Sequence, residues 1–287
     1  MVEPIYIVAS GLGIAFLLGL FRKTGKSLPG LIMLLTLAFM TFISGQWLIS
    51  LMFEGGTPQY TYTAGFKPPF SINLLMGQSE ALLTTMINGV GLLGGLYLLD
   101  RLKTQGVNSM IVFLLLFVGL NVVVMTRDLF NLFVFLEVSS VAIVGLVLLE
   151  RSSQSLSAGF KYLVATALIS GILLIGIILI YQYAGSLYID DLVQANLTAV
   201  KGGMVAVFLI LIAVALELKP FPANGWGLDI YQGAHSGLGA LVSAGFATAM
   251  VFVLYKLLPM AGGQWQYMMA TLGAVTFIGS NLLGIKQ

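Results

Sequence analysis

Apolar runs about as long as a bilayer is thick recur from one end of this chain to the other. They fall at roughly 4–21, 30–53, 74–99, 107–126, 128–149, 158–183, 202–234 (interrupted), 236–258 and 266–285, nine in all. A helix of ~20 apolar residues crosses a ~30 Å hydrocarbon core, so each run is long enough to span. Hydrocarbon offers the backbone no hydrogen-bond partners, which leaves helices and closed barrels as the only spanning structures. The runs lack the period-two alternation of a barrel strand. With 59% of residues hydrophobic and 8% charged, too little polar sequence remains for an attached soluble domain. The expected fold is all-α: a polytopic membrane helix bundle of about nine transmembrane helices.

Composition also narrows the chemistry. Without cysteine the chain has no disulfide, thiol or iron–sulfur chemistry of its own, and a single histidine, His235, cannot build a multi-histidine metal or haem site. No cofactor and no metal site are expected. A net charge of +2 is too small to indicate nucleic acid as a partner. Glu3 precedes the first run, basic residues follow it, and no small-residue cleavage pattern is clear, so it reads as a retained helix.

Flanking cations set the expected orientation. Arg22, Lys23, Lys26, Arg101, Lys103, Arg151, Lys161 and Lys286 fall on one side, and Lys67, Arg127, Lys201 and Lys256 on the other, eight against four. This places the N-terminus outside and the C-terminus in the cytoplasm, with Arg127 and Asp128 read as an interface pair. The longest loop, about Glu54 to Ser71, holds Pro58, Pro68 and Pro69, and its Tyr60-Thr61-Tyr62-Thr63 run suits a short strand of a hairpin. A second loop, Ser186 to Leu197, carries Asp190-Asp191 and belongs on the same outer side. Glu80 reads as facing a lipid headgroup or a partner subunit.

Two places put charge within apolar sequence. Glu137 lies inside the run Leu129–Leu149, where an ionisable group costs ~2.5 kcal/mol or more to insert and is therefore paired or functional. The bland reading is a neutral carboxyl satisfied by a neighbouring helix; the functional one is an ion-transfer group. In the seventh run, Glu217 and Lys219 precede Pro220, Pro222 and Gly225. Proline removes a helical donor and clashes with the preceding turn, so the helix breaks here. Broken backbone at membrane depth is tolerated where protein or water satisfies it, as at transporter ion sites. The alternative is a span that ends at Leu218 and a loop that follows.

These residues carry a family resemblance. The stretch from Asp128 to Val138 (Asp-Leu-Phe-Asn-Leu-Phe-Val-Phe-Leu-Glu-Val) resembles the fifth-helix signature of antiporter-like subunits found in respiratory complex I, Mrp-type sodium/proton antiporters and membrane-bound hydrogenases. Lys161-Tyr162-Leu163 through Ala184-Gly185-Ser186-Leu187 is similar to the sixth helix and following loop. Trp226, Asp229, Tyr231-Gln232-Gly233-Ala234 and Ala240-Leu241-Val242-Ser243 resemble the Trp-x-Pro-Asp stretch and eighth helix, with Leu228 at the proline position. The match runs in register from about Lys67 to the C-terminus.

The resemblance implies three leading helices with an outer loop at 54–71 (residues 1–106), a five-helix repeat (107–260) and one further helix (261–287). The family's second repeat would be absent, through a natural split or a shortened chain. Other membrane subunits, including one supplying that repeat, would then be partners, along with the lipid bilayer and protons or sodium ions. The family pairs a fifth-helix glutamate with a seventh-helix lysine. Glu137 matches the first; the lysine position falls on Glu217, with Lys219 two residues later. Two residues of ideal helix turn by ~200°, so Lys219 would point away unless the prolines rewind the segment. Thr248 stands at the eighth-helix relay position and His235 where a proline is usual.

The resemblance gives Lys161 a relay role, against a plain interfacial lysine, and makes Asp229 a cap for the restarting segment. His235 could titrate near neutrality or hydrogen-bond a loop. The candidate ion-translocation residues are thus Glu137, Lys219, Glu217, Lys161 and His235, with Asp229, Pro220 and Pro222 structural. The function expected is a proton- or sodium-translocating membrane subunit of a larger energy-converting complex. The alternative is a non-conducting subunit that bridges or packs active ones. A quinone-reducing enzyme is disfavoured because no redox site is visible.

Overall fold

The computed structural model describes residues 2–23, 27–63, 65–66 and 71–285. Lys26, Lys67, Pro68, Pro69 and Lys286 of the readings above lie outside the described residues.

The helices are α1 (Ile5–Leu18), α2 (Ser27–Phe53), α3 (Gln78–Tyr97), α4 (Leu99–Gln105), α5 (Val107–Met125), α6 (Leu129–Val147) and α7 (Ser153–Ala184), followed by α8 (Ile189–Gln194), α9 (Lys201–Glu217), α10 (Gly225–Gly233), α11 (Ser236–Leu241), α12 (Ala247–Leu257) and α13 (Gly263–Gly284). Six helices or continuous helical stretches among the described residues are long and apolar enough to cross a membrane, or seven if α3 and α4, bent by 68° at their junction, form one span. The all-α polytopic fold is as expected. The expected figure of nine is reached only by adding segments such as α9, which has 17 residues, and α13.

α5 is the hub. It is buried along nearly its whole length, and α1, α2, α3, α6 and α12 all pack on it. Its apolar residues face inward on all sides, as a helix surrounded by others requires. Within this apolar centre Asn88 of α3 and Asn121 of α5 exchange two side-chain hydrogen bonds, 3.1 and 2.7 Å, pinning the two helices at one register. The second half is organised by α7 against α6, α9 and α10. Gly176 of α7 permits that approach: a Cβ there would fall 2.7 Å from Ile210 of α9.

The long loop does form a hairpin. β1 (Gln59–Tyr62) pairs antiparallel with β2 (Asn73–Met76), with Tyr60 opposite Leu75. Isolated bridges join Leu74 to Thr126 and Asp128 to Tyr188, tying the hairpin, the α5–α6 turn and the loop bearing α8 together. Both loops therefore lie at one end of the bundle, here called the hairpin end.

Several expectations are corrected at that end. Arg127 pairs with Asp190, not with Asp128. Asp128 instead caps α6, accepting from the Asn131 N–H at 2.7 Å. Glu80 is only 6% exposed, so it faces neither headgroup nor partner.

Candidate functional site

The seventh run breaks as its prolines dictate. α9 ends at Glu217, and Lys219 takes a left-handed backbone conformation, φ 56°, uncommon for a residue with a Cβ. Pro220 and Pro222 then carry the chain to Asn224, which begins α10. The left-handed residue removes the simple helical phase relation between Glu217 and Lys219. Both therefore address the interior.

Lys219 is sandwiched there. Its ammonium lies 4.8 Å from the Phe246 ring centre and 5.5 Å from that of Tyr162, within cation–π range of both. It also donates to the backbone oxygen of Glu217 at 3.1 Å. Gly227 lets α10 close over its stem, since a Cβ there would stand 2.4 Å from Lys219 Cδ. Phe246 reaches this position from a π-helical turn, Val242–Phe246, that joins α11 to α12. Such wide turns are frequent at functional sites.

Glu217 is 5% exposed, and its Oε2 has no hydrogen-bond partner among the described residues. The Trp226 indole N–H is likewise buried without a partner among the described residues. The charges of Lys219 and Glu137 both act on Glu217. Glu137, half-buried on α6, forms no ion pair among the described residues. The structure thus brings Glu137, Glu217 and Lys219 into one electrostatic neighbourhood at the break.

The remaining candidates stand apart from this neighbourhood's core. Lys161 of α7 and Asp229 of α10 form a 2.9 Å ion pair whose side chains are 56% and 35% exposed. Asp229 lies inside α10, while Asn224 holds the capping position, so Asp229 ties α10 to α7 instead of capping it. His235 caps α11: its Nδ1 accepts from the Gly237 N–H at 3.2 Å, and its ring rests against Tyr97.

Sequence reasoning missed Lys256, which it counted as a loop-flanking cation. It is 6% exposed, and its ammonium donates to the carbonyls of Val123, Val124 and Thr126 at 3.1, 2.9 and 2.8 Å. These oxygens belong to the end of α5, where carbonyls lack helical partners and the dipole favours a cation. A signal existed: Lys256 is followed by five apolar residues before Gly262, so no aqueous loop adjoins it. Nearby, burial works to raise the Asp190 carboxyl, but the Arg127 hydrogen bond and charge override it and hold it below the usual aspartate range. Burial raises Asp128, against the lowering effect of the Asn131 and Phe130 N–H groups.

Fold and site together define an integral membrane helix bundle with ionisable groups gathered at a broken helix. Residues 126–287, more than half of the chain, match the family described as NADH:quinone oxidoreductase/Mrp antiporter, transmembrane, and the chain belongs to that family. It is 29% identical over 258 residues to NADH-quinone oxidoreductase subunit N of Paraburkholderia phymatum, covering 86% of this chain and 51% of that protein. A chain of an archaeal membrane-bound sulfane sulfur reductase superposes with a TM-score of 0.86 at 28% identity, over 95% of this chain and 56% of the other. A chain of the Dietzia Mrp complex superposes at 0.80 with 22% identity, over 90% and 49%, a likeness of fold. The chain spans about half the length of the relatives it matches.

Proposed function

We propose that this chain is an ion-translocating membrane subunit of a larger energy-converting complex, moving protons or sodium ions through charge changes at the α9–α10 break. The observation that carries this reading is Lys219, turned inward by a left-handed backbone beside the buried, unpartnered carboxylate of Glu217. A group that carries an ion must be able to exchange partners. A fixed, fully satisfied salt bridge would resist that exchange, whereas Glu217 retains free acceptor capacity. Glu137 adds a second carboxylate whose charge acts on the first. Displacing Lys219 would change the ion occupancy of the pair, and a redox step or counter-ion elsewhere in the complex would drive the displacement. Lys161 and His235, toward the opposite end from the hairpin in the proposed orientation, would serve as entry groups.

The family's architecture supports residues 1–106 as three leading helices, 107–260 as one five-helix repeat and 261–287 as a further helix. A second repeat would come from continuing sequence or a partner subunit. An apolar groove beside the break, lined by Leu218, Pro220, Val251, Leu272 and Phe277, offers a surface for it. Bacterial and archaeal relatives favour the prokaryotic cytoplasmic membrane, with the N-terminus outside and the C-terminus cytoplasmic.

The non-conducting alternative has one observation in its favour: Lys219 bonds a backbone oxygen and makes no ion pair with Glu137. Ion-gradient formation by the intact complex in liposomes separates the two readings. Loss of pumping in Glu137→Gln and Glu217→Gln at matched assembly supports transport; wild-type pumping in both supports a packing role.

A further inference from the structure

A second cluster of charge lies at the hairpin end, around a cavity of about 360 Å3 lined by Ser79, Glu80, Arg127, Asp190, Tyr255 and Lys256. That space is roomy and polar enough to hold several waters. Four separate parts of the fold supply its charges: α3, the α5–α6 turn, α8 and α12. Three of the four groups are committed. Arg127 and Asp190 bind each other, with Nε to Oδ2 at 3.3 Å, and Lys256 spends its three N–H donors on the end of α5. Glu80 is different. It is 6% exposed, lines the cavity, and has no side-chain hydrogen bond or ion pair among the described residues.

Glu80 is the third residue of α3, and its carboxylate folds back beside the N-cap Gly77, where an added Cβ would stand 2.7 Å from Oε2. Glu80 lies in the first turn of α3, where the helix dipole favours an anion, and the charges of Arg127 and Lys256 reach it. Asp190 acts on both of those cations, and Tyr188 on Arg127. A metal ion is poorly matched to this setting. It needs several oxygen ligands, whereas Asp190 is already used and the basic side chains of Arg127 and Lys256 line the same cavity. A proton needs one oxygen and cancels one charge.

One helix links this cavity to the break. Phe246, whose ring lies under the Lys219 ammonium, leads directly into α12, and Lys256 follows ten residues later. At 1.5 Å per residue that is roughly 15 Å, about half the thickness of a hydrocarbon core.

We infer that the hairpin-end cavity is a proton-exchange vestibule in which Glu80 takes up and releases the translocated proton, with Arg127 and Lys256 lining the same cavity. A hydronium ion reaching the cavity from the break side gives its proton to a Glu80 carboxylate oxygen; one O–H bond of hydronium breaks as the carboxyl O–H forms, and a water remains. That carboxyl O–H later breaks to protonate a water on the open side, which regenerates the carboxylate. The inference rests on the proposed transport function and assigns its hairpin-side terminus.

The test is proton-gradient formation by the intact complex in liposomes, followed with a pH-sensitive dye while the pH on the hairpin side is varied. Glu80→Gln is expected to slow pumping by about tenfold or more and to flatten its dependence on hairpin-side pH, with ~1.4 kcal/mol on the barrier corresponding to tenfold. Glu80→Asp is expected to restore part of the rate with a displaced pH profile, which a merely structural role would not produce. Wild-type pumping and an unchanged profile in Glu80→Gln, while Glu137→Gln stops pumping, overturns the vestibule and leaves the transport reading standing. Normal pumping in both variants overturns both. Should Glu80→Gln fail to assemble, the profile of assembled Glu80→Asp decides: displaced supports the vestibule, undisplaced rejects it.

Discussion

Lys219 folds back on Glu217: its ammonium donates to the Glu217 backbone oxygen at 3.1 Å, while the Glu217 carboxylate keeps an oxygen free and buried. Two residues apart in sequence, they sit together because Lys219 is left-handed, φ 56°. The ammonium is thus held close to the carboxylate without being consumed by it. Aromatic faces of Phe246 and Tyr162 supply the rest of its environment, and these attract a cation more weakly than a paired carboxylate does.

Removing that cation should therefore remove transport and leave the fold. Lys219→Met keeps the length of the stem and loses the charge. The initial rate of gradient formation by the intact complex is expected to fall by about tenfold or more, ~1.4 kcal/mol on the barrier. An unchanged rate at equal assembly would take Lys219 off the ion path.

Gly227 offers a subtler perturbation. Its added Cβ would lie 2.4 Å from Lys219 Cδ, so Gly227→Ala must displace the lysine stem. The stem is flexible, and the expected result is slower pumping with near-normal assembly and thermal stability. Should pumping persist unaltered, the ammonium's position at the break is not critical.

The reciprocal amide pair of Asn88 and Asn121 should behave as a unit. Asn121→Ala leaves Asn88 buried with an unmet acceptor, at a cost of about 1–3 kcal/mol, read as a lower unfolding midpoint in detergent. Replacing both by leucine is expected to cost less than the sum of the two single changes, because no polar group is left stranded. Additive losses would show that the amides act independently.

The Arg127–Asp190 pair predicts an acid limit for the hairpin end. Asp190 is held below the usual aspartate range in the folded chain, so its stabilising contribution is complete above the unfolded value, ~3.9. It is lost as the pH falls through the lower folded value. Hydrogen exchange in the α8 loop is expected to accelerate in that acid window for the wild type. In Asp190→Asn the loop should be loose already at neutral pH and insensitive to acid.

The sequence by itself determined the membrane class, the helical architecture, the hairpin and the break. Each follows from a local rule: run length against bilayer thickness, turn residues between strand formers, proline against the helical hydrogen bond. Glu137 stood out as a candidate for a similar reason, a carboxylate in an apolar run, and its role belongs to the proposal. What only the tertiary structure decided is partnership. Lys219 addresses the interior because a single left-handed residue resets the helix phase, which no periodicity reveals. Arg127 prefers Asp190, 63 positions away, over adjacent Asp128, whose carboxylate is engaged by the first turn of α6. Lys256 is buried because the end of α5 presents three carbonyls to it across more than a hundred residues. Which partner a charge in a membrane finds, or whether it is left without one, is a property of packed helices rather than of neighbours in sequence.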